Sequence, residues 1–325
     1  MKQRRFQDRE ISEVGLGTWQ IGGSWGEVSQ NEALAILQAA WDNGVNFFDT
    51  ADVYGGGKSE KLIGQFRRES GADVFVATKL GRGGDPGGAA NLTLDAMRAH
   101  TENSLRNLGM KCLDLTQLHC VATDALRGDE VFDALRVLQG EGKIKRFGAS
   151  VESMEEAHLC LEQEGLASLQ IIFNVFRQKP ILDLFDAAQA KNVALIVRLP
   201  LASGLLSGRI SSDTQFDADD HRNFNRDGAA FNVGETFAGL GFERGVELSQ
   251  ALKPLVPVAM TMAQMAQRWI LDFPAVTTII PGASKSAQVE ANVAVSELAP
   301  LSGELHAKLR DFYNSEVKDS IRGPY

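Results

Sequence analysis

Short apolar runs alternate regularly with amphipathic helical patterns along the chain, and this alternation limits the folds that it can adopt. The segment SQNEALAILQAAWDNG begins with Ser29 and Glu32 in capping-box spacing, and LTLDAMRAHTENSLRNLG stops at Gly109. Strands that alternate with helices pair in parallel, and eight such units close into a barrel. We therefore predict an α/β fold, a (β/α)₈ TIM barrel. The eight strand-like runs end near Thr18, Phe48, Lys79, His119, Ser150, Asn174, Leu199 and Pro281.

The length of the chain fits one such barrel. A (β/α)₈ barrel takes about 250 residues, and more with insertions, so the 325 residues are predicted to form a single domain over 1–325. Two segments interrupt the alternation, a glycine-rich one at 81–93 and a long one at 202–245. Both follow the carboxyl end of a strand, so both are predicted to overhang the C-terminal mouth, where long loops are usually functional.

The rival architecture is a doubly wound dinucleotide-binding fold. The run GRGGDPGG suggests its glycine fingerprint, because Gly81 and Gly83 are spaced correctly. However, Pro86 stands where the third glycine belongs, and no helical pattern begins there. The sequence context therefore excludes this fold.

Composition excludes several classes of partner. The net charge of −9 argues against nucleic acid, since phosphate binding needs a basic surface. Neither a secretory signal nor a run of about 18 apolar residues is found, so we expect no membrane association. The cysteines, Cys112, Cys120 and Cys160, show neither disulfide nor metal-ligand spacing. We predict reduced thiols, no metal and a cytoplasmic protein, either a monomer or a small homo-oligomer.

Four residues with complementary chemistry follow one another in the first 120 positions. Asp49, Lys79 and His119 each close a predicted strand, and Tyr54 comes five residues after Asp49. The carboxyl ends of barrel strands meet at one mouth, where catalytic groups gather. Taken singly, each residue has an ordinary explanation. Asp49 could cap a helix or turn, and Tyr54 could be a loop aromatic residue. Lys79 could be a charge at a strand end, and His119 a hydrogen-bonded histidine near the core. Together, a carboxylate, a phenol, an ammonium and an imidazole predict a proton-donating catalytic site.

The order and spacing of these four residues resemble the tetrad of the aldo-keto reductase superfamily. The segments GLGTW, YGGGKSE, FGAS and IIPGASKSAQVEAN extend the resemblance over nearly the whole chain. It implies reduction of an aldehyde or ketone to an alcohol by hydride transfer from NADPH. Tyr54 would donate the proton, Lys79 would stabilise the phenolate, Asp49 would hold Lys79, and His119 would orient the small-molecule carbonyl substrate.

The resemblance also assigns a cofactor site. The matching segments place Glu60 beside the site and the adenosine end of the cofactor along IIPGASKSAQVEAN, a segment that includes Ala283 and a helix N-terminus. The implied cofactor-binding residues are Gly17, Thr18, Trp19, Asp49, Ser150, Gln170, Arg198, Leu199, Gly204, Leu206, Gly282, Ser284, Lys285, Gln288 and Asn292.

Three positions depart from the family pattern. Val151 replaces an asparagine that contacts the nicotinamide carboxamide, and Arg198 replaces a tyrosine that stacks on the nicotinamide. A guanidinium plane can also stack, so we predict cofactor contact for Arg198; the alternative is that it binds a phosphate or a loop carboxylate. Gln288 replaces an arginine that grips the 2′-phosphate, which leaves Ser284 and Lys285 as the predicted phosphate ligands. NADP is predicted, with NAD possible.

Substrate contacts are predicted for Trp19, Trp25, Tyr54 and His119, although Trp25 has the alternative of an ordinary packed loop tryptophan. The remaining histidines, His221 included, lack such neighbours in the sequence and are predicted to be structural. Two other functions stay open: an NAD-linked sugar or alcohol dehydrogenase, and a regulatory subunit like the β subunits of potassium channels, which have this fold.

Overall fold

The predicted strands form one closed parallel barrel in the computed structural model, which describes residues 1–23, 25, 28–82 and 88–325. Each barrel strand pairs in parallel with the next one along the chain. The strands are β1 (Gln3–Phe6), β2 (Arg9–Ser12), β3 (Leu16–Gly17), β4 (Phe47–Asp49), β5 (Phe75–Leu80), β6 (Leu115–His119), β7 (Phe147–Ser150), β8 (Leu166–Ile172), β9 (Ala194–Arg198) and β10 (Val276–Ile279).

The barrel closes where β10 meets the first barrel strand, β3. Gly15 donates its N–H to the Ile279 carbonyl at 2.8 Å, and Gly17 donates to the Pro281 carbonyl at 3.1 Å. A side chain at position 17 would not fit, since its Cβ would lie 2.7 Å from the Ile280 carbonyl oxygen. The predicted (β/α)₈ fold is confirmed.

Helices follow the strands and cover the outside of the barrel. The capping box predicted at Ser29 and Glu32 is present at the start of α2, and Gly109 ends α4 in the left-handed conformation at φ 63°. The α-helices are α1 (Trp19–Gly22), α2 (Gln30–Asp42), α3 (Lys58–Ser70), α4 (Leu94–Leu108), α5 (Thr123–Leu126), α6 (Glu130–Gly140), α7 (Met154–Leu161), α8 (Pro180–Asp183), α9 (Phe185–Ala190), α10 (His221–Phe224), α11 (Phe242–Leu252), α12 (Met262–Leu271), α13 (Ser286–Val293) and α14 (Gly303–Phe312).

An antiparallel hairpin, β1–β2, precedes the barrel and was not foreseen from the sequence. Its Phe6 is buried and packs edge-on against Phe75, with ring centroids 5.2 Å apart. Phe75 and Phe47 are the first residues of their strands and belong to the same apolar cluster as Phe6 and Ile11. The hairpin therefore closes the end of the barrel opposite the mouth.

We expect Phe6→Ala to lower the free energy of unfolding by about 3–5 kcal/mol, because it removes a buried ring from a packed layer. Urea denaturation of wild type and variant measures this difference. Phe224→Ala is the control, since Phe224 is 42% exposed and should change stability by only about 0.5 kcal/mol. A Phe6→Ala variant as stable as the control would show that the hairpin does not support the barrel.

The long segment at 202–245 is folded over the mouth into short helical turns, as its position predicted. These turns are Ala202–Ser207, His221–Phe224, Val233–Glu235 and Phe237–Gly239. Residues 83–87 of the glycine-rich run lie outside the described residues, so the structure does not test the sequence argument against a dinucleotide fingerprint there. A short helical turn at Ala89–Leu92 follows this run. In the described part of the chain, no helix combines the length and apolarity needed to cross a membrane.

Candidate active site

Three of the four predicted catalytic residues meet at the barrel mouth through the ammonium of Lys79. Its Nζ lies 2.6 Å from Asp49 Oδ1, 2.8 Å from the Thr50 carbonyl oxygen and 3.4 Å from Tyr54 Oη. Asp49 pairs with Ala77 across β4 and β5, and Lys79 lies two residues farther on, hence on the same face of β5. Strand register thus brings the carboxylate and the ammonium together, and both are buried.

Asp49 has a second partner that the sequence did not reveal. Gln170 Nε2 donates to Asp49 Oδ2 at 2.7 Å, so both carboxylate oxygens are engaged. Burial raises the pKa of Asp49, and the contacts of Lys79 and Gln170 oppose that rise. Gln170 was predicted only as a cofactor contact; its position on β8, far along the chain, gave no signal that it would face β4.

Tyr54 is held by a glycine-rich turn between β4 and α3. Gly55, Gly56 and Gly57 all have positive φ, and a Cβ at Gly22 would lie 2.9 Å from the Tyr54 backbone. Burial raises the pKa of Tyr54, and Lys79 counteracts this only in part, so the net pKa lies above its usual value. The phenol is therefore fully protonated at neutral pH.

His119 ends β6 beside Tyr54, and their rings are edge-to-face with centroids 5.9 Å apart. Its buried Nδ1 has no hydrogen-bond partner among the residues that the structure describes. Burial, reinforced by Arg82, Lys79 and Arg198, holds the pKa of His119 well below its ordinary value. A neutral imidazole offers one N–H donor and one acceptor.

The tetrad opens on a cavity of about 810 Å³. Most of the predicted site residues line it, whereas Lys79 lies behind Tyr54, Leu206 is buried in the core, and Lys285 is exposed outside the cavity. Glu60, expected beside the site, instead accepts hydrogen bonds from Thr78 and Asn107. The predicted residues in the lining are Gly17, Thr18, Trp19, Trp25, Asp49, Tyr54, His119, Ser150, Gln170, Arg198, Leu199, Gly204, Gly282, Ser284, Gln288 and Asn292.

The far end of the cavity reaches the start of α13. Here the backbone N–H groups of Ser284 and Lys285 both donate to Gln288 Oε1, at 2.7 and 3.2 Å. Asn292 follows on the same helix and accepts from Gln267 at 3.1 Å. A helix start with two such donors suits an anion.

An aromatic wall lines the near end of the cavity. Trp19, a predicted substrate contact, stacks on Tyr54 at 6.0 Å and meets Trp25 edge-on at 5.6 Å. Phe231, from the long loop, also lines the cavity. His221, which was predicted to be structural, lies outside the tetrad, and its ring is buried 4.3 Å from that of Trp25. Neither Phe231 nor His221 could be linked to the mouth from the sequence.

Arg198 binds a loop carboxylate, which was the alternative to its predicted stacking on the cofactor. Its Nη1 lies 3.3 Å from Glu235 Oε2, while Arg82 Nη1 lies 3.0 Å from Glu235 Oε1. Burial alone would raise the pKa of Glu235, but Arg198 and Arg82 outweigh it and lower the pKa to about 2. The long loop is thus fixed to the carboxyl ends of β5 and β9 by one bridging carboxylate.

Comparison with known proteins places this geometry in a family. A family model described as the aldo/keto reductase family matches residues 13–314. A glycerol dehydrogenase from Gluconobacter oxydans is 29% identical, with a TM-score of 0.79 and coverage of 97% of this chain and 96% of its own. An aldo-keto reductase from Klebsiella pneumoniae, solved in complex with NADPH, is 25% identical, with a TM-score of 0.70 and 98% coverage of both chains.

One curated relative represents a different function. A probable voltage-gated potassium channel subunit beta from Arabidopsis thaliana is 28% identical over 90% of this chain and 89% of its own length. Relatives of both kinds therefore span the same barrel. The match of the family model over nearly the whole chain shows that the protein belongs to the aldo/keto reductase family.

Proposed function

We propose that the protein reduces an aldehyde or ketone to an alcohol with NADPH. The observation that carries this proposal is the buried hydrogen-bonded series from Gln170 through Asp49 and Lys79 to Tyr54, which ends at the cavity beside a neutral His119. A phenol supported by an ammonium is suited to giving up a proton only when charge develops on a neighbouring atom. That requirement is met by a carbonyl oxygen undergoing reduction.

The roles of the residues follow from their contacts. Tyr54 and His119 line the cavity side by side, so both can donate hydrogen bonds to one carbonyl oxygen. Tyr54 then passes its proton to that oxygen, and the nearby Lys79 ammonium stabilises the phenolate that remains. Asp49 and Gln170 act as positioning residues, because they fix Lys79 and do not themselves exchange the proton.

The cavity fits a dinucleotide cofactor. Its volume of about 810 Å³ lies within the usual range for ligand pockets, and its lining runs from Tyr54 to Ser284 and Gln288. Ser150 and Gln170 would hold the carboxamide end, and the start of α13 would take the phosphate once the Gln288 side chain turns away. When bound, NADPH supplies the hydride. The NADPH-bound Klebsiella relative supports this choice of cofactor.

We expect Lys285→Ala to weaken NADPH binding by about 10- to 100-fold and to leave NADH binding nearly unchanged, because a charge-assisted hydrogen bond to a 2′-phosphate is lost. Lys285 is exposed at the start of α13, so its side chain is free to reach a bound phosphate. Fluorescence titration of both cofactors measures the two dissociation constants.

Lys308→Ala is the matched control, since Lys308 lies on α14 and pairs with Glu304. An unchanged ratio of NADPH to NADH affinity in Lys285→Ala would place the phosphate on another residue. Arg209, which lines the cavity, is the next candidate.

Turnover with both cofactors in both directions tests the function itself. We expect NADPH-dependent reduction of simple aldehydes to exceed NAD⁺-dependent oxidation of the matching alcohols and sugars. Faster oxidation with NAD⁺ would favour a dehydrogenase, the activity named for the Gluconobacter relative. Tight NADPH binding without turnover, accompanied by capture of a potassium-channel cytoplasmic domain, would favour the regulatory role suggested by the Arabidopsis relative.

A further inference from the structure

A pair of guanidinium groups stands at the substrate end of the cavity without a role in the proposed chemistry. Arg82 follows β5 and Arg198 ends β9, and both line the cavity. We propose that Arg82 and Arg198 form a subsite for an anionic group of the substrate, so that the preferred substrates are aldehydes or ketones that carry a carboxylate. This inference rests on the proposed reductase function and names the substrate class of the same site.

The position of the pair relates it to the reacting carbonyl. Both guanidiniums bind the two oxygens of a single carboxylate, Glu235, so they lie close to each other. Both guanidiniums line the same cavity as His119. An anion bound by this pair would therefore lie in the cavity that also holds the imidazole that orients the carbonyl.

The charges of the described residues leave the pair under-neutralised. Glu235 supplies one negative charge for two arginines. Glu152, whose carboxyl group lies within 4.8 Å of that of Glu235, is half-buried. This burial, together with the charge and the hydrogen bond of Glu235, raises the pKa of Glu152 to about 7. Around neutral pH it therefore contributes at most part of a charge. A net positive, partly desolvated site favours an anion, because Coulomb attraction strengthens as water is excluded.

Arg198 also keeps an unused donor. Its Nη2 faces Cys120 Sγ at 3.5 Å and the Val151 carbonyl oxygen at 3.3 Å, but its buried Nε has no acceptor among the described residues. A buried donor without a partner is unfavourable, and a carboxylate is the acceptor that guanidinium geometry matches best. The guanidinium of Arg198 therefore has hydrogen-bonding capacity that its described neighbours do not use.

A cation and the cofactor phosphate fit this place less well. Ligand atoms of Cys120, Glu152 and Glu235 lie within 4.8 Å of one another, but the two adjacent guanidiniums oppose a metal ion. The proposed phosphate-binding site of the cofactor is at the start of α13, where Ser284 and Lys285 present backbone N–H donors. The anion recognised by Arg82 and Arg198 is therefore assigned to the substrate.

The test compares 4-formylbenzoate with its neutral methyl ester in NADPH-dependent reduction. A flat ring suits the wall formed by Trp19, Trp25 and Phe231, and the two substrates differ mainly in charge. We expect kcat/KM to favour the acid at least about tenfold, and Arg198→Gln or Arg82→Gln to reduce that preference by about 10- to 100-fold through KM for the acid. The ester is the reference for each variant, because any general effect of the substitution on turnover acts on both substrates and cancels in the acid-to-ester ratio.

Arg222→Gln is the matched control, because Arg222 lines the same cavity but its charge is neutralised by Asp220, 2.5 Å away. It should leave the acid-to-ester ratio unchanged. Melting temperatures of all variants verify folding. Ester reduction without preference for the acid would overturn the inference and leave the reductase function intact. A weakened NADPH affinity in Arg198→Gln, with an unchanged acid-to-ester ratio, would assign the anion to the cofactor and would likewise overturn it.

If neither aldehyde is reduced, the proposed reductase function fails, but a binding measurement still tests the anion subsite. With NADPH bound, benzoate should raise the melting temperature more than benzamide does, since the two differ in charge but not in shape. The difference should disappear in Arg198→Gln. Equal shifts for benzoate and benzamide in the wild type would show that the pair does not recognise an anion.

Discussion

Tyr54→Phe is expected to lower kcat by about 10²–10⁴-fold, the usual contribution of general acid catalysis. The phenolic hydroxyl lies 3.4 Å from Lys79 Nζ, and its proton is needed only as negative charge develops on the substrate. Removing it should therefore leave the ground state almost unchanged. The affinity for NADPH, measured by fluorescence quenching, should stay within about twofold of wild type, which is a difference of less than 0.5 kcal/mol.

The control for this variant is Tyr313→Phe. Tyr313 is not among the residues that line the cavity, and its hydroxyl lies 2.9 Å from that of Tyr325. The substitution therefore removes a phenolic hydroxyl of the same kind outside the cavity. Its kcat should match the wild type. If Tyr54→Phe kept more than half of the wild-type kcat, Tyr54 would not be the proton donor, and His119 would be the remaining candidate in the tetrad.

The sequence predicted the barrel and the tetrad because both depend on local patterns. Apolar runs identify the strands, and parallel pairing forces their carboxyl ends to one mouth, so Asp49, Lys79 and His119 had to approach one another. The hairpin β1–β2 escaped notice, because QRRF and REIS carry charged residues on their exposed face and contribute few apolar residues.

Contacts made by the long loop could not be predicted in the same way. Glu235 belongs to a segment without strand or helix periodicity, and only the folded chain shows that it bridges Arg82 and Arg198. The stacking predicted for Arg198 followed from the position of an aromatic residue in relatives, whereas the partner of its guanidinium is set by this loop. The raised pKa of Tyr54 could not be predicted for a related reason, since the extent of its burial depends on the folded mouth.

Lys79→Met should lower kcat by about 10²-fold or more, because the phenolate formed at Tyr54 would lose the adjacent positive charge. The variant should also alter the pH profile in a defined direction. Lys79 opposes the rise that burial causes in the pKa of Tyr54, so its removal should raise that pKa further. The alkaline limb of the kcat/KM profile, where the free enzyme loses the phenolic proton, should move to higher pH. Lys61→Met, at an exposed position on α3, should change neither kcat nor the profile.

The Asp49→Asn variant distinguishes two contributions to catalysis. Asp49 positions Lys79, whereas the charge of Lys79 itself stabilises the phenolate of Tyr54. The asparagine keeps the shape of the carboxylate and one acceptor oxygen, while the Thr50 carbonyl still holds the ammonium at 2.8 Å. We therefore expect kcat to fall less than in Lys79→Met. Stability should nonetheless suffer, since Lys79 becomes a buried charge without a counter-ion, a change that typically costs about 3–5 kcal/mol. Steady-state kinetics and urea denaturation of the two variants measure both quantities. A larger loss of kcat in Asp49→Asn than in Lys79→Met, in protein shown to be folded, would mean that the carboxylate acts on the proton transfer directly.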